Sequence, residues 1–271
     1  MPFSVLLSLY HKENPIFLHQ SLDSVFSQTL PPDEVVLVED GPLTEELYAV
    51  VEKYSQDHPE MKVVPLPENV GLGRALNEGL KHCSHELVAR MDTDDIALPD
   101  RFEKQISYMT AHPEFDVLGG QIDEFMEDET NIRCSRTVPC THEKILARLN
   151  SRNPFNHMSV AMRRSQVIAV GNYLDWHFHE DYFLWIRMAL AGCTFANLPD
   201  TLVNARTGKE MYHRRGGRKY FKAAASLQKY MLDHNMVSPL RYVSNISIRF
   251  ITHVLMPDKV KMMVYQKFLR K

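Results

Sequence analysis

Three carboxylates follow a short apolar run in residues 87–95, which read LVARMDTDD. The apolar residues indicate a buried strand, and Asp92, Asp94 and Asp95 come directly after it. Clustered acids repel one another unless a positive charge lies among them, and a divalent cation with oxygen ligands is the simplest candidate. The alternative is an acidic turn that faces solvent, because D-x-D is a short pattern. The segment predicts one or the other at the end of a strand.

A calcium loop of the EF-hand type does not fit the same stretch. Counted from Asp92, a glutamate does occupy the twelfth position, at Glu103. However, the fifth position is Ile96, the position that requires glycine is Ala97, and Pro99 stiffens the middle. The pattern therefore excludes this kind of calcium site.

A second acidic pair, Glu180-Asp181, stands much later in the chain, at the start of a predicted helix. A carboxylate in a cleft can act as a general base. Acids are also favoured at helix N-termini for structural reasons alone, because they complement the helix dipole. From the residues alone, both interpretations stay open.

The first hundred residues alternate between apolar runs and helical patterns. Helices are predicted to begin near Asn14-Pro15, at Thr44 and at Leu72. The predicted strands cover Phe3–Leu9, Glu34–Glu39, 61–66 and 86–91. This alternation with short links predicts an α/β fold with right-handed βαβ units and a mostly parallel sheet covered by helices on both faces.

Three of these strands should end at the same edge of the sheet, near Tyr10, Asp40 and Asp92. Ligands bind at this edge in open α/β sheets. After Asp100 the pattern loosens. We expect a helix at 100–109, a strand at 115–119, an acidic segment without periodicity at 123–130, a short strand at 159–162 and a helix from near Asp181.

The composition describes an ordinary globular protein with an uneven charge distribution. The chain has 271 residues, of which 44% are hydrophobic and 24% charged. Its four cysteines have neither metal-ligand spacing nor the density of a disulfide-rich secreted protein. This predicts reduced thiols and a cytosolic compartment. Residues 206–271 contain 15 Lys and Arg against 3 Asp and Glu, whereas residues 1–205 contain 16 against 31. We therefore predict a catalytic domain at 1–205 and a basic, mainly helical extension at 206–271.

Five stretches together resemble the inverting, nucleotide-sugar-dependent glycosyltransferases of family 2, which have the GT-A fold. They are SVLLSLYHKEN, VVLVEDG, ENVGLGRALNEG, ARMDTDDIALPDRFEKQ, and HEDYFLWIRM followed by YHRRGG. The resemblance extends from Phe3 to Arg218. Within the family, the chain looks most similar to bacterial enzymes that build exopolysaccharide, O-antigen or lipopolysaccharide. It implies a nucleotide-sugar donor, a glycan or lipid-linked glycan acceptor, and Mn²⁺ or Mg²⁺ as cofactor.

The resemblance also assigns roles to individual residues. Asp94 should contact the metal, and Asp92 should contact the ribose or a metal-bound water. Asp181 should be the base that deprotonates the acceptor hydroxyl, with Glu180 as the alternate. The predicted nucleotide-facing residues are Tyr10, Glu39, Asp40, Asn69, Gly71, Arg74, Asp92, Arg214 and Arg215.

For several of these residues, a purely structural role is the alternative. Asp40 should accept the imide N–H of a pyrimidine base, which favours uridine, but Asp40-Gly41 is also a common turn. Tyr10 could stack on the base or act only as a lid. Arg74 could reach the diphosphate or pair with the acidic edge. The basic loop around Arg214 and Arg215 could close on the diphosphate or remain an ordinary solvated turn.

Two other function classes compete with a glycosyltransferase. A sugar-phosphate nucleotidyltransferase needs a glycine-rich basic loop after the first strand, and SLYHKENP has no glycine. A non-catalytic nucleotide-sugar-binding module would lack the D-x-D motif or the base, and both are present. We expect no nucleic-acid partner.

The basic extension predicts either of two arrangements. Residues 217–236 form a helical pattern with Tyr220, Ala224, Leu227 and Met231 on one face, and apolar residues mix with basic ones from Leu240 onward. Such a segment could lie on the anionic inner face of the cell membrane, which would make the protein cytoplasmic and peripheral. The alternative is a terminal pair of helices packed on the main domain.

Overall fold

The computed structural model describes residues 1–208 and 217–256, and their strands form a single sheet. The strand order is β3-β2-β1-β4-β8-β6-β9-β5, with β7 paired to β6. The strands are β1 (Phe3–Leu9), β2 (Glu34–Glu39), β3 (Met61–Pro65), β4 (Leu87–Arg90), β5 (Ile96–Ala97), β6 (Val117–Phe125), β7 (Cys134–Arg136), β8 (Ala161–Arg163) and β9 (Phe195–Arg206).

Helices follow most of these strands. They are α1 (Pro15–Phe26), α2 (Glu45–Asp57), α3 (Leu72–His82), α4 (Arg101–Ala111), α5 (His142–Leu149), α6 (Arg164–Ala169), α7 (Glu180–Leu190), α8 (Gly217–Asp233) and α9 (Pro239–Phe250). A 3₁₀ turn at His157–Ser159 precedes β8, and a π-helical turn at Ile251–Leu255 continues α9.

The first half of the fold confirms the predicted parallel α/β arrangement. β3, β2, β1 and β4 are neighbours and run parallel. The Asn14 side chain accepts the Ile16 N–H and Thr44 accepts the Leu47 N–H, so both predicted helix starts are capped.

Alternate residues of the central strands enter two separate cores. Leu6, Val36 and Val88 belong to the cluster on one face of the sheet. Val5 and Val35 belong to the cluster on the other. Successive side chains of a strand point to opposite faces, so a strand buried on both faces must be apolar throughout. This explains why these strands appear as unbroken apolar runs in the sequence.

The second half is mixed. The helices predicted at 100–109 and from near Asp181 are present, but the predicted strand boundaries were wrong. β6 continues to Phe125, beyond the predicted end at residue 119, and takes in the start of the acidic segment. β9 was not predicted at all. It contains Pro199 and Asp200, and its pairing with β6 shifts register twice, so its sequence lacks a period of two. β8 closes the gap between β4 and β6 by pairing antiparallel with both.

The C-terminal helices pack against the main core. Ala224, Leu227 and Met231 of α8 are fully buried, as the helical pattern predicted, and Leu227 and Met231 join the same cluster as Leu6 and Val88. The domain boundary after residue 205 stays a prediction. In the described ranges, no helix has the length and apolar character needed to cross a bilayer.

Candidate active site

Three neighbouring parallel strands end at the edge that carries the candidate site. β2, β1 and β4 lie side by side and end at Glu39, Leu9 and Arg90. The segments that follow the three strands therefore begin at the same edge of the sheet, as predicted. This is the edge at which open α/β sheets bind ligands.

The three aspartates after β4 converge. One carboxylate oxygen from each of Asp92, Asp94 and Asp95 lies within 4.8 Å of the others. Burial raises the pKa of Asp94 to about 7, and the charges of Asp92 and Glu13 add to this effect. Burial, and then the charges of Asp94 and Asp92, also raise the pKa of Asp95. Crowded, partly desolvated carboxylates with excess negative charge fit a hard divalent cation such as Mg²⁺ or Mn²⁺.

The end of β9 fixes the inner side of this aspartate loop. Asp95 is 2% exposed and accepts the backbone N–H of Arg206 at 2.7 Å. The Arg206 Nε donates to the Asp94 carbonyl at 3.1 Å, and its Nη2 donates to Gln20 Oε1 at 2.6 Å. Its guanidinium carbon lies 3.8 Å from the ring centre of Phe17. No sequence motif pointed to Arg206, because β9 itself was not predicted.

Two buried arginines lie beneath the loop. Arg90 Nη2 contacts Asp92 Oδ1, and Arg101 Nη2 donates to the Arg90 carbonyl at 2.6 Å. Burial by itself would lower the pKa of Arg90, but the charge and hydrogen bond of Asp92 act in the opposite direction. The net effect is a raised pKa. Within the described residues, Arg90 Nε and Nη1 are buried without a hydrogen-bond partner. Arg90 thus pairs with the acidic edge of the sheet.

The carboxylate of Asp40 is occupied by the loop that leads into α3. It accepts the N–H groups of Val70 and Gly71 at 2.7 and 3.1 Å and the Asn69 amide at 3.0 Å. Gly71 has φ +86°, a conformation that favours glycine. A Cβ on Gly41 would lie 2.5 Å from the Asn69 nitrogen. Asp40, Asn69 and Gly71 are therefore brought together, as parts of one tightly bonded turn.

Glu39 differs from its neighbour. It is 7% exposed, and no group in the described part of the chain hydrogen-bonds its carboxylate. Burial raises its pKa. A carboxylate of this kind gains a hydrogen bond when a ligand donor reaches it.

Glu13 is a further acid at the site that no motif in the sequence identified. Its carboxylate accepts the Asn14 N–H at 2.9 Å and the Thr93 hydroxyl at 3.2 Å. Burial raises its pKa, and the charge of Asp92 adds to this. Glu13 thus supports the middle residue of the D-x-D motif. Its position shortly after β1, at the ligand-binding edge, was the available signal.

The second acidic pair lies close to the first cluster. Glu180 begins α7, and a Cβ on Gly73 would lie 3.0 Å from the Glu180 Cβ, so α3 and α7 approach closely at this point. Burial raises the pKa of Glu180 to about 7, with a further contribution from the charge of Asp181. The charges of Arg90 and Asp92 also act on this pKa, in opposite directions. The pair therefore lies near enough to Arg90 and Asp92 for their charges to act on it.

Asp181 is oriented by neutral donors. Its Oδ2 accepts the Asn153 amide at 2.6 Å and its Oδ1 accepts the Tyr182 N–H at 2.7 Å. Asn153 was not identified from the sequence, because it belongs to an irregular segment with no motif. A carboxylate fixed in this way has the geometry of a base with an orienting partner.

The remaining predicted residues divide into two groups. Tyr10 directly follows β1, at the ligand-binding edge. Arg74 Nη2 lies 3.4 Å from Asp175 Oδ2. Both side chains are mostly exposed, so the two residues form a surface ion pair. Arg214 and Arg215 lie outside the described residues.

Comparison with known proteins identifies the family. The family described as "Glycosyl transferase family 2" matches residues 4–171. The amylovoran biosynthesis glycosyltransferase AmsE of Erwinia amylovora is 45% identical, with 98% of each chain covered. An Escherichia coli protein named UDP-Gal:alpha-D-GlcNAc-diphosphoundecaprenol beta-1,3-galactosyltransferase is 35% identical, with 99% of this chain and 97% of that protein covered.

Solved structures agree on the fold. A fragment of Staphylococcus aureus TarS in complex with UDP-GlcNAc matches with a TM-score of 0.68 at 20% identity, covering 93% of this chain and 73% of that one. The mannosyltransferase PcManGT of Pyrobaculum calidifontis, in complex with GDP-Man and Mn²⁺, matches with a TM-score of 0.62 at 17% identity, covering 97% and 78%. These neighbours share the GT-A fold.

The family match covers more than half of the chain, and whole-length relatives exceed 30% identity. The fold agrees with this family. The chain therefore belongs to glycosyl transferase family 2 and is a glycosyltransferase.

Proposed function

We propose that this glycosyltransferase moves a sugar from a UDP-sugar to a lipid-linked bacterial glycan, by a single displacement that inverts the anomeric centre. One observation carries the proposal. A carboxylate cluster suited to a divalent cation lies within electrostatic range of a second acidic pair, at the ligand-binding edge of the sheet. A divalent cation and a general base both assist the displacement of a nucleoside diphosphate by a hydroxyl.

Asp94 and Asp92 are the residues we assign to Mn²⁺ or Mg²⁺. When bound, the cation supplies positive charge for the diphosphate as it leaves. Asp95 has its Oδ1 engaged by Arg206 and serves mainly to fix the loop. The Mn²⁺ named for the structural neighbour PcManGT supports a divalent cation without choosing between the two ions.

Asp181 is the proposed base, and Glu180 is the alternate. The acceptor hydroxyl gives its proton to the carboxylate while its oxygen bonds to the anomeric carbon. At the same step the bond from that carbon to the UDP oxygen breaks, and UDP leaves. Asn153 supports this assignment because its amide fixes the orientation of Asp181.

For the nucleotide base, the observed contacts favour Glu39. The imide N–H of uracil needs an acceptor, and the Asp40 carboxylate already accepts three donors. The Glu39 carboxylate has no such partner among the described residues. We therefore assign the base contact to Glu39 and the shaping of the loop to Asp40, with Tyr10 covering the base. Arg74, and Arg214 and Arg215, remain proposed diphosphate contacts.

The relatives support the donor and the acceptor class. The E. coli relative is named for UDP-Gal and for an acceptor on a diphosphoundecaprenol carrier. The relative from Erwinia amylovora is named for the biosynthesis of amylovoran. A lipid-linked acceptor would place the reaction at the cytoplasmic face of a membrane, and we propose that the protein is cytoplasmic and peripheral there.

The experiment is a screen of UDP-sugars for UDP release, with Mn²⁺ or Mg²⁺ and with a polyprenyl-diphosphate-linked sugar as acceptor. We expect release that requires both the cation and the acceptor. Formation of a nucleotide sugar from a sugar phosphate would instead identify a nucleotidyltransferase. Donor binding without turnover of any acceptor would indicate a binding module.

A further inference from the structure

The C-terminal helix α9 and the π-helical turn after it present their polar side chains to the protein body. Asn245 is 7% exposed, and its amide donates to Gln228 Oε1 at 2.7 Å. The guanidinium of Arg249 donates to the Ser151 carbonyl at 2.8 Å. His253, one turn later, is also buried. A helix that packs on a globular domain normally directs apolar side chains inward. Here the buried residues Asn245 and His253 are polar, and the partly buried Tyr242 packs against the core.

The opposite face of the same segment is exposed and mainly apolar, with Ser244 and Ser247 between its large side chains. At about 100° per residue, its large side chains fall within an arc of roughly 160°. Exposure reaches 82% at Leu240 and 60% at Leu255. We call this face the apolar stripe, and it consists of Leu240, Val243, Ile248, Phe250, Ile251 and Leu255.

Such a face is costly in water. Each side chain of this size gains about 1.5 to 3 kcal/mol when it is fully buried. Contiguous exposed apolar patches commonly mark surfaces that bind a protein or a membrane. The stripe is therefore a binding surface, and its charge surroundings indicate what it binds.

The charge around the stripe favours an anionic surface. Residues 217–256 contain six Lys and Arg against one acid, and residues 257–271 add five against one. A second copy of the chain placed on the stripe would bring two basic segments together. An anionic bilayer is complementary in charge and offers an apolar interior. No described helix is long enough to cross it, so the segment would lie in its plane.

The stripe is connected to the catalytic base by a short stretch of chain. Asn245 also donates to the Asn150 carbonyl at 2.9 Å, and Arg249 bonds the next residue, Ser151. Asn153, two residues further, bonds Asp181. The helix that carries the stripe is therefore attached to the segment that orients the proposed base.

From these observations we propose that the apolar stripe inserts into the interface of an anionic bilayer and seats Asp181 beside the membrane. This inference rests on the proposed function, because a lipid-linked acceptor gives the seating a purpose. The acceptor's diphosphate would then stand at headgroup level near the base, while its lipid remains in the bilayer.

The test uses the full chain and vesicles of phosphatidylcholine with or without phosphatidylglycerol. The stripe variant combines Leu240→Gln, Ile248→Gln and Ile251→Gln. The matched control combines Leu190→Gln, Ile132→Gln and Ile168→Gln, which lie elsewhere and are also exposed. We expect the wild type and the control to float with anionic vesicles, and the stripe variant to lose binding by about 100-fold or more.

Donor binding separates this inference from the proposed function. Calorimetry with UDP and Mn²⁺ should give the same affinity for all three proteins, because the stripe lies outside the donor site. Activity of the stripe variant should fall with a lipid-linked acceptor in vesicles and stay unchanged with a short-chain soluble analogue. If the wild type does not bind UDP, the proposed function is contradicted. Floating with vesicles then still tests the role of the apolar stripe.

Three outcomes would overturn the inference. The first is a wild type that fails to float with anionic vesicles at low salt. The second is a stripe variant that floats as well as the control. The third is a wild type that sediments as a dimer and a stripe variant that sediments as a monomer, since the stripe would then bind a second copy.

Discussion

The two acidic groups at the sheet edge are stabilised in different ways. The aspartate loop after β4 is surrounded by arginines: Arg90 contacts Asp92, and Arg206 bonds the backbone of Asp94 and the carboxylate of Asp95. The pair at the start of α7 has no ion pair within the described ranges. Its Asp181 is bonded instead by a neutral amide, from Asn153, and by a backbone N–H.

The difference separates two kinds of chemistry. Arginines keep their charge, so the aspartate loop is fixed in shape while it retains negative charge that a cation can neutralise. Neutral donors orient the second pair without cancelling its charge, and burial raises the pKa of Glu180 to about 7. Because burial raises the pKa of Asp94 to about 7 as well, the kind of partner and not the pKa distinguishes the two clusters. Under the proposed function, the aspartate loop would hold the metal and the second pair would accept the proton.

The strongest test of this contrast removes a carboxylate from the loop. We expect Asp94→Ala to lose metal-dependent UDP binding and to reduce transfer by roughly 10³- to 10⁴-fold, because several kcal/mol of charge stabilisation disappear. Calorimetry with Mn²⁺ and UDP measures the first effect. Asp57→Ala, at an exposed helix end, is the control. Unchanged Mn²⁺-dependent UDP affinity in Asp94→Ala would place the metal elsewhere.

The matching test removes the base. We expect Asp181→Asn to keep donor affinity and to lower kcat by about 10²- to 10⁴-fold, because only the proton acceptor is lost. Glu180→Gln should have the smaller effect. Single-turnover kinetics with saturating donor measure both variants. If Glu180→Gln is the more damaged of the two, the roles of the pair must be exchanged.

A third test concerns the arginine that touches the loop. Arg90→Met should weaken Mn²⁺ binding about 10- to 100-fold by releasing Asp92, as loss of a partner of a metal ligand commonly does. Arg90→Lys should recover part of this. In an Asp92→Asn background the effect of Arg90→Met should vanish, since the two residues act as one unit. If the losses of Mn²⁺ affinity add up in that double variant, Arg90 does not act through Asp92. An equal loss of Mn²⁺ affinity in the exposed Arg133→Met would also refute this role.

The smallest expected effect is on stability. The folded-state pKa of Glu180 lies above its ordinary value, at about 7, so protonation favours the folded state. Its contribution is complete below about pH 4.5 and is lost as the pH rises through 7, at a cost on the order of 1 to 3 kcal/mol. Urea unfolding should therefore give Glu180→Gln a higher stability than the wild type at pH 8 and a similar one at pH 5. Equal curves at both values would contradict the burial of a titrating group.

Sequence reasoning was accurate where local rules and tertiary structure agree. Strands β1 and β2 are buried on both faces, so their continuous apolar character marks their ends, and the caps at Asn14 and Thr44 mark the helices that follow. Parallel strands with short links bring their carboxyl ends together. The common edge carrying Tyr10, Asp40 and Asp92 follows from these facts alone.

What the sequence could not decide depends on long-range contacts. Arg206 reaches Asp95 across 111 positions of the chain, from a strand whose register is irregular and whose pattern is therefore hidden. Asp40 and Glu39 are adjacent acids, and only the return of the loop before α3 occupies one and leaves the other without a partner. Likewise, α9 has both polar and apolar sides in the sequence. Hydrogen bonds from Asn245 and Arg249 to the carbonyls of residues 150 and 151 determine which side faces the body. Such choices depend on which donors and acceptors the fold brings within about 3 Å, and a linear pattern does not contain that information.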